Sequence, residues 1–130
     1  MYQVGVDIVE IDRIRKAVDR FGPKFLRRVY TPAEIDFCRD RTPELAARFA
    51  GKEAVMKALG TGRGGVSWQD IEILPNRRKA PLVFLHGGAL LRARRMGIDG
   101  LGISLSHSRD YAVASVVAET SLATEDFEDD

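Results

Sequence analysis

Residues 48–62 read RFAGKEAVMKALGTG, and how this stretch folds decides how the rest of the chain is organised around it. Together with Leu45, Ala46 and Ala47 it carries small and large apolar residues at helical spacing, with Leu45, Phe49, Met56 and Leu59 as the bulky, core-facing set. Thr42-Pro43 supplies a helix start, and Gly60-Thr61-Gly62 supplies a stop just past Leu59. Gly51 lies in the helix interior at a cost of about 1 kcal/mol relative to alanine, which points to close packing at that position. The stretch also holds Lys52, Glu53 and Lys57, which a helix built only for packing would not need. Glu53 and Lys57 are one turn apart, so the plain alternative is a surface ion pair worth roughly 0.3–0.5 kcal/mol.

Toward the N-terminus, residues 2–9 alternate as a strand, with Tyr2, Val4, Val6 and Ile8 on one side and Gly5, Asp7 and Val9 on the other. A carboxylate at Asp7 among apolar neighbours needs a cap, a cation or a metal, because losing its hydration is costly. Ile11, Ile14, Val18 and Phe21 then give a basic amphipathic helix that ends at Gly22-Pro23, and residues 24–30 give a second short one. Thr31-Pro32-Ala33-Glu34 is a capping box opening a helix to about residue 40. Beyond the glycine segment, 67–70 reads as a turn, 71–74 and 81–86 as a hairpin around a basic loop, and 87–96 as a helix. Two strong strands close the domain, 101–106 and 111–118, joined by His107-Ser108-Arg109-Asp110. One strand, then helices, then mostly strands predicts an α+β fold: a single domain over 1–119 with an antiparallel sheet packed against helices. Residues 120–130 are expected to form an acidic, disordered tail.

The chain has 130 residues and a net charge of +1, long enough for a core without disulfide or metal staples. Cys38 is the only cysteine and reads as a buried small hydrophobe in a reducing, cytoplasmic setting. The N-terminus carries Asp7, Glu10 and Asp12 and does not resemble a signal peptide. No apolar run approaches the roughly 20 residues of a membrane span. The near-neutral total hides an asymmetry: seven Lys/Arg face one Asp between residues 13 and 28, while 119–130 hold six acidic residues and no basic one. A basic face that meets an acidic partner follows, against the plainer reading of a solvated helix side.

Three positions gain weight together: Asp7 on a strand, Glu53 between lysines, and His107 where a strand enters a turn. Two carboxylates make a hard oxygen site suited to Mg²⁺, which keeps waters and substrate phosphate as its other ligands. Zinc is disfavoured, since one Cys and two scattered His offer no ligand spacing. Lys57 can neutralise phosphate, and the backbone of 60–65 can approach it. This glycine segment lacks the Gly-Lys-Ser/Thr ending of a P-loop and follows its helix, so nucleotide hydrolysis is disfavoured. His86, in an apolar run, reads as structural.

These residues also carry a family likeness. Gly5-Val6-Asp7-Ile8-Val9-Glu10-Ile11 with Arg13-Ile14, Phe25 and Arg28 before Thr31-Pro32-Ala33-Glu34, Arg48-Phe49-Ala50-Gly51-Lys52-Glu53-Ala54 with Lys57-Ala58 and Gly60-Thr61-Gly62, and Ser104-Leu105-Ser106-His107-Ser108 occur in order over residues 4–119. In these the sequence resembles the holo-[acyl-carrier-protein] synthases, the small bacterial 4′-phosphopantetheinyl transferases. The resemblance implies Mg²⁺-dependent transfer of the phosphopantetheine arm of coenzyme A to a serine of apo acyl carrier protein, for fatty acid biosynthesis, by a homotrimer. It implies Asp7 and Glu53 as metal ligands and Asp7, Glu53, Lys57 and His107 as catalytic residues. Arg48, Lys57, Gly60, Thr61, Gly62 and His107 would lie at the coenzyme A site, and Arg13, Arg20, Phe25 and Arg28 on the carrier-protein surface. The sequence departs from the family at Arg78-Lys79-Ala80-Pro81, where Asn-Gly-Lys-Pro is usual, at Gly51, where alanine is common, and in the acidic tail. The competing reading is a noncatalytic carrier-protein or nucleic-acid binding module, which would leave Asp7 and Glu53 without a role and lacks a nucleic-acid motif.

Overall fold

The computed structural model describes residues 1–61 and 64–121; Gly62 and residues 122–130, both named above, lie outside the described residues. The elements run β1 (Tyr2–Glu10), α1 (Ile11–Phe21), α2 (Pro23–Val29), α3 (Pro32–Cys38), α4 (Thr42–Leu59), a short 3-10 helix (Trp68–Asp70), β2 (Ile71–Pro75), β3 (Pro81–Leu85), α5 (Gly87–Arg95), β4 (Ile98–His107) and β5 (Tyr111–Thr120). The expected α+β order holds. The 67–70 turn is one turn of 3-10 helix, because Ser67 and Asp70 cap each other across it. β4 begins three residues earlier than expected, with a bulge between Ile98 and Gly100, and β5 continues to Thr120.

Among the described residues two antiparallel sheets form. The larger has the order β1-β5-β4, with β1 and β5 in register from Tyr2↔Glu119 to Glu10↔Tyr111; the smaller is the β2-β3 hairpin. Asn76 closes the hairpin by accepting from the N–H groups of Arg78 (2.8 Å) and Ala80 (3.0 Å), and Lys79 takes the left-handed conformation at φ 65°. A glycine at that position would carry no strain, so the departure from the usual family turn has a local cost.

α4 sits at the centre and touches both sheets as well as α1, α3 and α5. Its hydrophobicity is spread around the whole circumference, as expected for a helix surrounded by protein. Small residues set how closely it lies on the sheet. On β5 the helix-facing positions are Ala112, Ala114, Val116 and Ala118, all buried, and they meet a helix rich in alanine. A Cβ at Gly5 would fall 1.9 Å from the Ala54 carbonyl oxygen, so only glycine permits β1 to cross α4 here. The close packing expected at Gly51 is also present, since a Cβ there would lie 2.5 Å from Ile73 Cδ1.

The other side of β1 is unusual. Tyr2, Val4, Val6 and Ile8 are 59–69 % exposed, and Val117 beside them on β5 is exposed as well. Among the described residues nothing covers this contiguous apolar strand face. Two further apolar residues depart from expectation: Phe21, predicted on the buried face of α1, is exposed, and Phe49, predicted in the core, is only half-buried and stacks on Trp68 at 4.9 Å. Among the described residues no helix is long and apolar enough to cross a membrane.

Candidate active site

Lys57 leaves α4 toward β1, where its Nζ donates to the Val6 carbonyl (2.9 Å) and to Asp7 Oδ1 (3.1 Å). Asp7 has 18 % of its side chain exposed and Lys57 54 %, so the pair is open to a ligand on one side. Glu53 lies one helical turn before Lys57 on the same face, half-buried. The partner of Lys57 is therefore across the strand rather than along the helix, which replaces the simple Glu53/Lys57 pair considered from spacing.

Lys52, adjacent in sequence, points the opposite way and has no exposed surface. Its Nζ sits 2.7 Å from Glu34 Oε1, also fully buried, and donates to the carbonyls of Trp68 (3.0 Å) and Ile71. Glu34 in turn accepts from the N–H groups of Thr31 (2.9 Å) and Ile73 (2.7 Å). The capping box of α3 was legible in sequence; its second role, anchoring α4 and β2 to one buried carboxylate, was not. Burial holds the Lys52 ammonium below its ordinary value although Glu34 opposes the shift. The network extends outward, with Thr31 Oγ1 donating to Glu72 Oε2 (2.6 Å) and His86 Nε2 3.1 Å from Glu72 Oε1. For Glu72 the hydrogen bonds from Thr31 and His86 outweigh its partial burial and hold the carboxyl below its usual value. His86 is thus an exposed residue at the start of α5, not a member of an apolar strand.

Arg48 is buried but faces a cleft of about 350 Å³ that it shares with Phe37, Lys79, Pro81 and His107. Its guanidinium is fixed by Glu44 (2.8 Å), by the Ile73 carbonyl (3.1 Å) and by the Phe37 ring at 4.6 Å. His107 ends β4, exposed, paired with Ala112. Asp7 pairs with Ala114 on β5, so His107 stands two strands from Asp7, about 10 Å across the sheet. Within one chain the structure brings Asp7, Lys57 and the Glu53 turn together, groups Arg48 with His107, and leaves the two sets apart. Gly60, which ends α4 in the left-handed conformation at φ 66°, and Thr61 open onto a separate hollow beside α5.

On α1 and α2, Arg13, Arg20 and Arg28 are exposed and Phe25 is half-buried against Tyr30. Phe25 and Arg28 line a groove of about 550 Å³ with Phe21, Lys24, Phe49 and Trp68. Phe21 and Phe49 were missed as groove residues because an aromatic at helical spacing reads as core, and Trp68 because it reads only as part of a turn.

The 4′-phosphopantetheinyl transferase superfamily profile matches residues 3–116. The chain belongs to this superfamily. Among its phosphopantetheinyl transferase relatives, the holo-[acyl-carrier-protein] synthase of Dehalococcoides mccartyi is 50 % identical over 119 residues, covering 92 % of this chain and 99 % of that one. The enzyme of the same name from Moorella thermoacetica is 47 % identical over 128 residues, covering 96 % and 99 %. The crystal structure of the Helicobacter pylori synthase in complex with coenzyme A superposes with a TM-score of 0.82 at 41 % identity, covering 89 % of this chain and 99 % of that one. The Neisseria meningitidis synthase gives 0.83 at 36 % identity, covering 91 % and 98 %. At these identities and coverages the chain is a member of the holo-[acyl-carrier-protein] synthase group within the phosphopantetheinyl transferases.

Proposed function

We infer that this phosphopantetheinyl transferase moves the 4′-phosphopantetheine arm of coenzyme A onto a serine of apo acyl carrier protein, releasing adenosine 3′,5′-bisphosphate. The observation that carries the reading is the Asp7–Lys57 pair against the turn bearing Glu53, in a chain half identical to such synthases along nearly its whole length. In the reaction the serine oxygen forms a bond to the phosphorus that bears pantetheine, the bond from that phosphorus to the bisphosphate oxygen breaks, and the serine proton must be taken up. Glu53, half-exposed on a rigid helix, is the group we assign as proton acceptor. Lys57 donates to the phosphate oxygens, and His107 with Arg48 binds the nucleotide end from the cleft they share.

The donor set fits a magnesium ion. Asp7 and Glu53 are two hard carboxylates, and among the described residues no group of three His, Cys, Asp or Glu forms a full protein cage. Asp7 and Glu53 would hold the ion, which when bound offsets pyrophosphate charge.

Arg13, Arg20, Arg28 and Phe25 are assigned to carrier-protein docking, with the aromatic groove beside them and cations above it. Arg13→Glu is expected to raise the KM for carrier protein about tenfold or more and to leave the KM for coenzyme A within about twofold, because a rim charge steers association. Initial rates with each substrate varied in turn decide this, and equal changes in both would remove the docking role.

The bare apolar face of β1 and β5 supports a homotrimer, in which a neighbouring chain covers Val4, Val6 and Ile8 and can bring its His107 set toward the Asp7 set. Val6→Asp is expected to shift the sedimenting species from trimer to monomer and to lower transfer along with it; a variant that stays trimeric would place the interface elsewhere. The single buried Cys38, whose thiol burial pushes up to about 11, agrees with a cytoplasmic enzyme, and its product would serve fatty acid biosynthesis. The overall reading is tested by incubating the protein with apo carrier protein, coenzyme A and Mg²⁺ and following carrier mass. Gain of the phosphopantetheine arm is expected. Carrier binding without any mass gain would instead make the chain a noncatalytic docking module.

A further inference from the structure

The groove between Phe25 and Arg28 on one side and the stacked Phe49 and Trp68 on the other has walls that are held unequally. The Trp68 wall is fastened to the interior, since the Trp68 carbonyl accepts from the buried Lys52 Nζ at 3.0 Å. The other wall is α2, seven residues long and too short to hold its shape by its own hydrogen bonds. Its C-terminal end has a particular deficit. The Arg27 carbonyl would ordinarily accept from the N–H of Thr31, four residues on, but that N–H donates to Glu34 Oε1 at 2.9 Å in the cap of α3. Gln69, the residue after Trp68, fills the gap from the opposite wall: its Nε2 donates to the Arg27 carbonyl and to the Tyr30 carbonyl (3.0 Å). One side-chain amide thus reaches from the fixed wall to the carbonyls on either side of Arg28 and Val29.

We propose that Gln69 is a positioning residue for carrier-protein binding, a clip that sets the distance between α2 and Trp68 and so the shape of the groove. This rests on the docking role assigned above to Phe25 and Arg28. Gln69 need not touch the carrier for it. A surface already in its bound shape loses less freedom on association, so the clip acts on affinity for the carrier and leaves the phosphate chemistry alone. The Asp7–Lys57 pair makes its hydrogen bonds with β1, and α2 takes no part in them. In the sequence Gln69 is one residue of a polar turn. What singles it out is that its two acceptors lie 42 and 39 positions away in the chain.

Gln69→Met keeps the length of the side chain and removes both donors. In the full chain it is expected to raise the KM for apo carrier protein about fivefold to tenfold, as the loss of two hydrogen bonds to carbonyls would, with kcat and the KM for coenzyme A within about twofold. In the free protein, hydrogen exchange over 22–30 should quicken by at least about threefold. Trp68, the only tryptophan, reports the affinity directly. With a tryptophan-free apo carrier whose acceptor serine is replaced by alanine, the midpoint of its fluorescence change should rise by the same factor as the KM. A carrier KM within about twofold of normal would overturn the clip, as would an equal rise in both KM values, which marks general loosening of the fold. A raised carrier KM with unchanged exchange over 22–30 would make Gln69 a direct contact and overturn it as well. Phe25→Ala and Arg28→Glu separate the two levels. If both raise the carrier KM while Gln69→Met does not, the clip alone fails; if neither does, the docking surface lies elsewhere and the clip goes with it.

Discussion

Glu53→Gln is expected to lower transferase turnover by about 10²- to 10⁴-fold at saturating Mg²⁺, the range contributed by a positioned general base. Glutamine keeps the size of the side chain and one acceptor oxygen, so the helix and its packing should be undisturbed. What it loses is the capacity to take the serine proton and the negative charge that holds a cation. The two losses separate in the measurement. A weakened metal site shows as a raised Mg²⁺ requirement that recovers at high Mg²⁺, whereas loss of the base persists at saturation with the KM for coenzyme A little changed. Turnover within a few-fold of normal at saturating Mg²⁺ would mean that an ordered water, not Glu53, accepts the proton.

The largest effect on stability is expected at the neighbouring residue. Lys52→Ala should destabilise the fold by about 3–5 kcal/mol, read as a shift in the denaturant midpoint, because it leaves Glu34 charged and wholly buried without its cation. For a domain whose total stability is about 5–15 kcal/mol this approaches unfolding. Lys52→Met combined with Glu34→Gln should recover a large share, since the methionine fills the channel and the glutamine oxygen still accepts from Thr31 or Ile73. A single Lys52→Ala cost below about 1 kcal/mol would mean that water replaces the ammonium and that the pair does not fasten α4 to α3 and β2. Opposite outcomes are thus expected from adjacent residues: Glu53 for chemistry with the fold intact, Lys52 for the fold itself.

That contrast marks what was legible from the sequence. Helix and strand identities followed from periodicity and from capping residues such as Thr31 and Glu34, all of which act within a few positions of themselves. Asp7 could be singled out because a carboxylate in an apolar strand needs a partner, but which partner depended on β1 crossing α4 at Gly5, a contact between residues 50 apart. Lys52 and Glu53 are indistinguishable as letters in a helix, and a rotation of 100° per residue sends one inward and the other to the surface. Phe49 and Trp68 were hidden for the converse reason: their rings stack on each other at the rim of a groove, and a pattern of spacing does not say that the partner wall is missing. His86 was misjudged because the strand before it ends at Leu85, one residue short of the expected bound.

The placement of α4 has a consequence for how the enzyme fails. A helix enclosed by both sheets and three other helices has no independent opening motion, so its amides should exchange with solvent only when the whole domain unfolds. The proposed proton acceptor and the phosphate-facing lysine ride on that helix. Heat should therefore find no intermediate in which α4 alone has loosened within a folded chain, and inactivation should follow either separation of the subunits or global unfolding.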